Sequence, residues 1–420
     1  MLRSLFRGLT GLRSSQLSMD VIGNNIANVN TVGYKSSRAT FKEMLLQTIR
    51  SASSGSASTG GTNAMQVGLG VSVGSIDRNM TQGVPQITNR QTDFSIEGNG
   101  FFILSDGSSD YFSRAGNFDV DYQGYLVSPF NGYRVQGVAA ISGVIPASGS
   151  ITDIRIPYDT VVAPQATSQV DLGGNLNGDA PVGTTHATQV DIYDNTGGGT
   201  SLTVNFIKTD NDMWDVSLDV ATGTDPVGFE IIRFNNATGL ISGTSSFSFS
   251  WTPLGSATPL ALTLDIGAAG MTDGVTQFGV PDSDGKPAES TATVTGRDGF
   301  TSGTLKRFLV DETGVFTGVF SNGEQRSIAQ MYMANFNNPG GLLNLGSGLF
   351  TETPNSGTAG VAAAGVGSNG KILQGTLEMS NVDLAEEFTS MIITQRAFQA
   401  NARVISTSEE LLTELLNLKR

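Results

Sequence analysis

General acid–base and nucleophilic catalysis draw mainly on His, Cys and paired carboxylates, and this 420-residue sequence offers few of them. Its one histidine, His186, falls in a Gly/Thr-rich stretch that reads as a surface loop, so a Ser-His-Asp triad would rest on that residue alone. With no cysteine in the chain, thiol nucleophiles, disulfides and thiolate metal sites are excluded. Asp191 with Asp194, and Asp210 with Asp212, are the carboxylate pairs a glycosidase would need. Both lie in turn-like sequence, where Asp commonly bonds its own backbone. The run from Gly365 to Gly370 matches G-x-G-x-x-G as a string, but no clear strand leads into it and Gly375 interrupts the helix that must follow. Asp282-Ser283-Asp284-Gly285 hints at a calcium loop with its glycine too early. The expectation is therefore no catalytic residue, no metal and no cofactor.

The elements that could position any site divide sharply. The two ends carry the only strong helical patterns: Leu2, Leu5, Leu9, Leu12, Met19 and Ile26 at the start, and Leu384, Phe388, Met391, Phe398, Ala402, Ile405, Leu412 and Leu416 at the finish. The first reads as one helix from Met1 to about Asn28, roughly 40 Å long at 1.5 Å per residue, stopped by a crowd of Asn and Gly. The second runs from about Val382. A lone helix with an apolar seam is marginal in water, because packing that face supplies most helical stability. Two arrangements satisfy it, an intrachain helical hairpin and a multi-chain coiled coil. In the latter Gln395 and Glu409, polar on the seam, would help fix register.

Between the ends, Gly, Ser, Thr and Asn dominate and the apolar pattern switches to period two. Strands are expected over 71–138, again over 188–266, and in a meander from 305 to 333. Phe41 to Ile49 reads as one more short helix. Ser51 to Asn63 and Ser356 to Gly370 read as low-complexity, flexible tracts. The fold class is mainly β with long terminal α-helices, nested as a coiled-coil domain (1–30 with 376–420), linkers (31–70 with 357–375), an inner β domain (71–145 with 289–356) and an outer β sandwich or barrel (146–288).

The net charge of −14 is unevenly spread. Residues 146–288 hold 16 acids against 4 bases, whereas residues 1–50 hold 7 bases against 2 acids. The acidic block reads as a solvated, self-repelling surface. No basic stripe interleaves with aromatics, so a nucleic-acid role is not expected. Nor is a membrane span, since no run nears ~18 apolar residues. Arg13, Ser14, Ser15 and Gln16 break the first apolar run before a signal-peptide core could form.

Leu17 to Lys35, LSMDVIGNNIANVNTVGYK, resembles the signature of the bacterial flagellar axial proteins, the rod, hook and hook–filament junction group. Asn24, Asn25, Ile26, Ala27, Asn28, Asn30, Thr31, Gly33, Tyr34 and Lys35 match as they stand. At the other end Asn381 and Asp383, then Met391 to Asn401 with Gln395 and Arg396, resemble the family's C-terminal helix. Thr92 to Phe102, Tyr111 to Phe118 and Gly132 to Gly137 resemble the β domain shared by hook and distal-rod members. The large insert at 146–288 is a feature of the hook members.

The resemblance implies a structural polymer and no enzyme. Such subunits leave the cell unfolded through the flagellar type III export apparatus, without a cleaved signal peptide, and assemble under a hook cap on the distal rod protein. They build a curved tube outside the cell that acts as a universal joint, meets the hook–filament junction protein at its far end, and is lined by the terminal helices. Two alternatives stay open: a distal-rod or junction protein of the same family, and an extracellular glycan-acting enzyme.

Overall fold

In the computed structural model, residues 2–55, 60–141, 143–146, 149–158, 161–222, 230–254, 258–280 and 287–417 are described. The chain is mainly β, with one long helix near each end: α1 (Leu2–Ala27) and α2 (Leu384–Asn417). It divides into two compact units. The first comprises 1–156, 308–318 and 326–420, and the second 157–307 with 319–325. Residues 146–156, expected in the outer domain, therefore belong to the first unit, and 289–307 to the second. The pairing of Thr152–Asp153 with the strand Arg134–Ala139 accounts for the first of these shifts, and the pairing of Thr293–Arg297 with Gln169–Asn175 for the second.

Among the described residues, two sheets lie wholly within the second unit. One is an antiparallel meander of Thr185–Tyr193, Gly199–Asp210, Met213–Val220 and Glu230–Arg233. In the other, Leu260–Asp265 lies between Ser246–Trp251 and Gln169–Asn175, and Val275–Thr276 joins the far side. Strict alternation in Ser-Phe-Ser-Phe-Ser-Trp (246–251) puts every second residue inside. One core holds Phe206, Trp214, Val216, Trp251, Leu262 and Leu264, with side chains from both sheets. This is the inner face of a sandwich. His186 is not in a loop. It sits in the first strand opposite Phe206, with Nε2 2.7 Å from the Ala292 carbonyl oxygen. Asp191 also lies in that strand, while Asp194 accepts from Thr196 and Gly198 of its own turn. The segment Asp282 to Gly285 lies outside the described residues.

In the first unit, Gln325–Asn335, Arg134–Ala139, Phe101–Ser105, Asp110–Ser113 and Leu349–Thr351 are successive neighbours of one sheet. An aromatic cluster of Phe101, Phe112, Phe336 and Phe350 packs edge to face, contacts that add about 0.5–1.5 kcal/mol per pair to plain area burial. Two local expectations fail. Phe41 to Ile49 is not helical: Ser37–Glu43 pairs with Val71–Arg78, and Leu46–Arg50 with Met65–Gly68, as a long two-stranded ribbon. The distant partner strand, Met-Gln-Val-Gly and Val-Ser-Val, decides the conformation that an apolar run alone leaves ambiguous. The tract 357–375 is not a linker either. Gly360–Ala363 adds to the strand Gln325–Asn335, and Lys371–Gln374 pairs with Phe94–Glu97. Small residues pack there as sheet, so composition alone misleads.

The terminal region also starts later than 376. Thr376–Glu378 is a strand on Pro85–Ile87, and only from Leu384 is the chain helical. Asp383 caps α2, accepting from the Ala385 amide at 2.8 Å and the Glu386 amide at 3.3 Å.

Candidate assembly surface

α1 and α2 pack antiparallel on each other within the chain. Ser4 Oγ lies 3.3 Å from Ser408 Oγ at one end, and Asn25 Nδ2 donates to Glu387 Oε1 at 2.8 Å at the other. The contact is built on small residues. A Cβ on Gly8 would stand 3.1 Å from Ile405, and one on Gly11 2.7 Å from the Asn401 side chain. Gly8, Ser14, Ser15, Ile22 and Asn25 are the buried residues of α1. Of the large residues of the expected seam, Ile405 packs against Gly8. Leu5, Leu9, Leu12, Met19, Ile26, Met391, Phe398, Ala402, Ile405 and Leu412 are half-buried, while Leu384 and Phe388 are exposed. The side chains of Leu2 and Leu416 lie outside the described ones. Gln395 and Glu409 are exposed.

What remains uncovered is a second apolar line. Ile393, Val404 and Leu411 are separated by about three and two helical turns, so at 3.6 residues per turn they share one side of α2. They are 64%, 42% and 56% exposed. Phe388 and Ile392 add a second exposed flank, and Phe6 does so on α1. Scattered exposed apolar residues are ordinary on a folded surface, but lines of them on a long helix mark an interaction face.

The residues matched at the two chain ends act mainly as a clamp that fixes the helical hairpin to the β structure. Asn25 uses its whole amide: Nδ2 donates to Ser37 O as well as to Glu387, and Oδ1 accepts from Ser37 N at 2.9 Å and from Tyr34 Oη at 3.1 Å. Asn24 donates to Tyr34 Oη, Asn28 donates back to the Asn24 carbonyl, and Thr31 donates to Asn28, which ends α1 in a web of side-chain bonds. Gly33 takes φ +68°, and a Cβ there would lie 2.6 Å from the backbone nitrogen of Ala115, so the position requires glycine on two counts. Asn381 accepts from Ser36 N at 2.8 Å and donates to the Asn79 and Thr81 carbonyls. Ala27, Asn30, Gln395 and Arg396 are exposed.

Beneath the clamp lies a buried ion cluster. Lys35 Nζ donates to Glu378 Oε1 at 2.6 Å and to the Thr81 carbonyl at 2.7 Å. Arg114 Nη1 donates to Glu378 Oε2 at 3.2 Å, and its other nitrogen to the Gly98 carbonyl. Gly83 N donates to Glu378 Oε1, and the Glu378 carbonyl accepts from Gly33 N. All three charged side chains are nearly inaccessible. Burial pushes the Lys35 ammonium below the ordinary lysine range, against the opposing pull of Glu378, and burial likewise lowers Arg114. Sequence motifs contain Lys35 and Arg114, but the acid that joins them went unmarked.

Glu387 is a milder case. Burial raises its carboxyl above the ordinary range, while the Asn25 bond pulls the other way. A carboxyl raised in the folded state contributes stability at low pH that is lost as pH climbs through its folded value. Glu387→Gln keeps an acceptor for Asn25 without the charge. Its melting temperature, measured from about pH 4 to pH 7, a span that brackets an ordinary and a raised carboxyl, is expected to fall less with rising pH than the parent's; parallel curves would contradict this.

Three family models cover the regions just described. "Flagella basal body rod protein" matches 8–35, "Flagellar hook protein FlgE/F/G D1 domain" matches 95–173, and "Flagellar basal body rod FlgEFG protein C-terminal" matches 373–418. Helical ends and sheet domain together thus define the class of flagellar rod and hook proteins. The chain is 38% identical to flagellar hook protein FlgE of Treponema pallidum and 38% identical to that of Borreliella burgdorferi, each alignment covering all of both chains. It belongs to the flagellar hook protein family. The crystal structure of Helicobacter pylori flagellar hook protein FlgE2 is similar in fold, with a TM-score of 0.53 at 16% identity over 70% of this chain and 100% of that one.

Proposed function

We propose that this chain is the repeating subunit of the flagellar hook, a curved tube outside the cell that works as a universal joint between motor and filament. The carrying observation is the exposed apolar line of α2, Ile393, Val404 and Leu411, on a helix whose other side is already occupied by α1. The helical ends form the coiled-coil core of the polymer, the clamp at Asn25, Lys35, Glu378 and Asn381 holds them to the first β unit, and the acidic insert keeps the assembly soluble. The protein itself is the main partner. The distal rod protein, the hook cap, the hook–filament junction protein and the type III export apparatus follow from family membership. The role is structural, not catalytic. Among the described residues no cluster of three or more His, Asp or Glu could hold a metal, and no helix is long and apolar enough to cross a membrane.

The test is Ile393→Asp with Leu411→Asp. Both side chains are largely in solvent, so the helical circular dichroism of the monomer should be unchanged while sedimentable polymer falls to background. Polymer at the parent's yield would remove the proposed role of this face.

A further inference from the structure

The charges at the open end of the helical hairpin have the wrong sign for the helices that carry them. The start of a helix favours acids and its end favours bases. α1 has no acid in its first turn and begins with Arg3 and Arg7, while α2 has no base in its last turn and closes with Glu409, Glu410 and Glu414. Among the described residues, Arg7 and these three glutamates form no ion pair, and Arg7 Nε is buried without a hydrogen-bond partner. Phe6, between the two arginines, is 59% exposed. Among the described residues, which stop short of Lys419 and Arg420, no opposite charge answers this arrangement.

The opposite end of the hairpin has the complementary shape and charge. A groove of about 680 Å³ opens between α1, α2 and the base of the two-stranded ribbon, with Val21, Met80 and Val382 among its apolar lining. Glu386 and Glu387 form one wall, and Arg38 and Arg78 the other. Among the described residues Glu386 makes no ion pair, and the half-buried Arg78 stacks 5.4 Å from the Phe350 ring centre without a carboxylate partner.

We infer that the groove receives the open end of a second copy of this chain: the start of α1 places Phe6 on the apolar lining and Arg7 against Glu386 and Glu387, while the acidic end of α2 approaches Arg38 and Arg78. The two signs match in both pairs at once. The contact is heterologous, joining different surfaces of identical chains, and a repeated heterologous contact that does not close into a ring propagates as an open helical array. It rests on the polymer reading above and adds which end meets which.

A charge exchange in the full chain tests it. Arg7→Glu and Glu386→Arg are each expected to lower sedimentable polymer about tenfold, the scale of one interfacial charge pair, and the double variant to recover most of the parent's yield. Helical circular dichroism of each monomer identifies any variant that merely misfolds, and Arg38→Glu with Glu410→Arg supplies a second exchange if Arg7→Glu does so. Single variants that polymerise like the parent, or double variants that fare no better than the worse single, overturn the stacking. A parent chain that forms no polymer instead overturns the reading on which it rests.

Discussion

Glu378→Ala is expected to unfold the first unit at much lower urea concentration than the parent chain while leaving the second unit unchanged. The substitution strands Lys35 and Arg114 as uncompensated cations in a dry interior and removes the acceptor of the Gly83 amide. Breaking a buried ion cluster from one side costs about 3–5 kcal/mol, because the remaining charge cannot regain its hydration. Against total stabilities of about 5–15 kcal/mol, that is a large fraction. The two units can be followed separately. Both tryptophans, Trp214 and Trp251, lie in the core of the second unit, whereas both helices belong to the first. The helical signal should therefore shift its midpoint and tryptophan fluorescence should not. Coincident, unshifted transitions would show that the cluster carries little of the stability. Replacing Lys35, Arg114 and Glu378 together with apolar residues of similar volume should be far milder than Glu378→Ala, since a charge network removed whole leaves no orphaned charge, only the Gly83 amide without its acceptor.

The second large effect concerns where the C-terminal region is cut. A chain ending at Asp383 loses α2, and with it the partner of α1 and the exposed line of Ile393, Val404 and Leu411. It should remain soluble, keep its β signal and form no polymer. A chain ending at Gly375 removes eight further residues, including the strand Thr376–Glu378 and the acid of the buried cluster. It should lose the fold of the first unit as well. Limited proteolysis distinguishes the two truncations: a resistant first unit in both, or in neither, would contradict the assigned role of Thr376–Glu378.

The legible parts of this fold were those whose information is local. Alternation such as Ser-Phe-Ser-Phe-Ser-Trp sets strand, face and boundaries of 246–251 together, and the asparagine crowd after Ala27 stops α1. The misread parts depend on distant partners. Phe41 to Ile49 has an apolar run compatible with either element until Met65–Gly68 and Val71–Arg78 lie beside it. Gly-Val-Ala-Ala at 360–363 has linker composition but completes a sheet with a strand some thirty residues earlier, as the pairing of Ala334 with Val361 shows. The clamp was half legible. Asn25, Gly33, Lys35 and Asn381 stand out as motif positions, yet Lys35 meets Glu378 across 343 positions of sequence, and no local pattern marks that acid. The helical seam is legible only in part, because the spacing of large apolar residues does not mark where two helices come closest. Gly8 and Gly11 lie against Ile405 and Asn401 of α2, while Ile393, Val404 and Leu411 stay exposed.

The proposed contacts lie between copies of this chain, so the purified protein is expected to build a curved tube by itself at high concentration. Negative-stain electron microscopy of the purified full-length protein under polymerising conditions tests this most directly. Curved tubes of uniform width are the predicted result. Dispersed monomers at every concentration, or amorphous aggregates without a constant width, would contradict it.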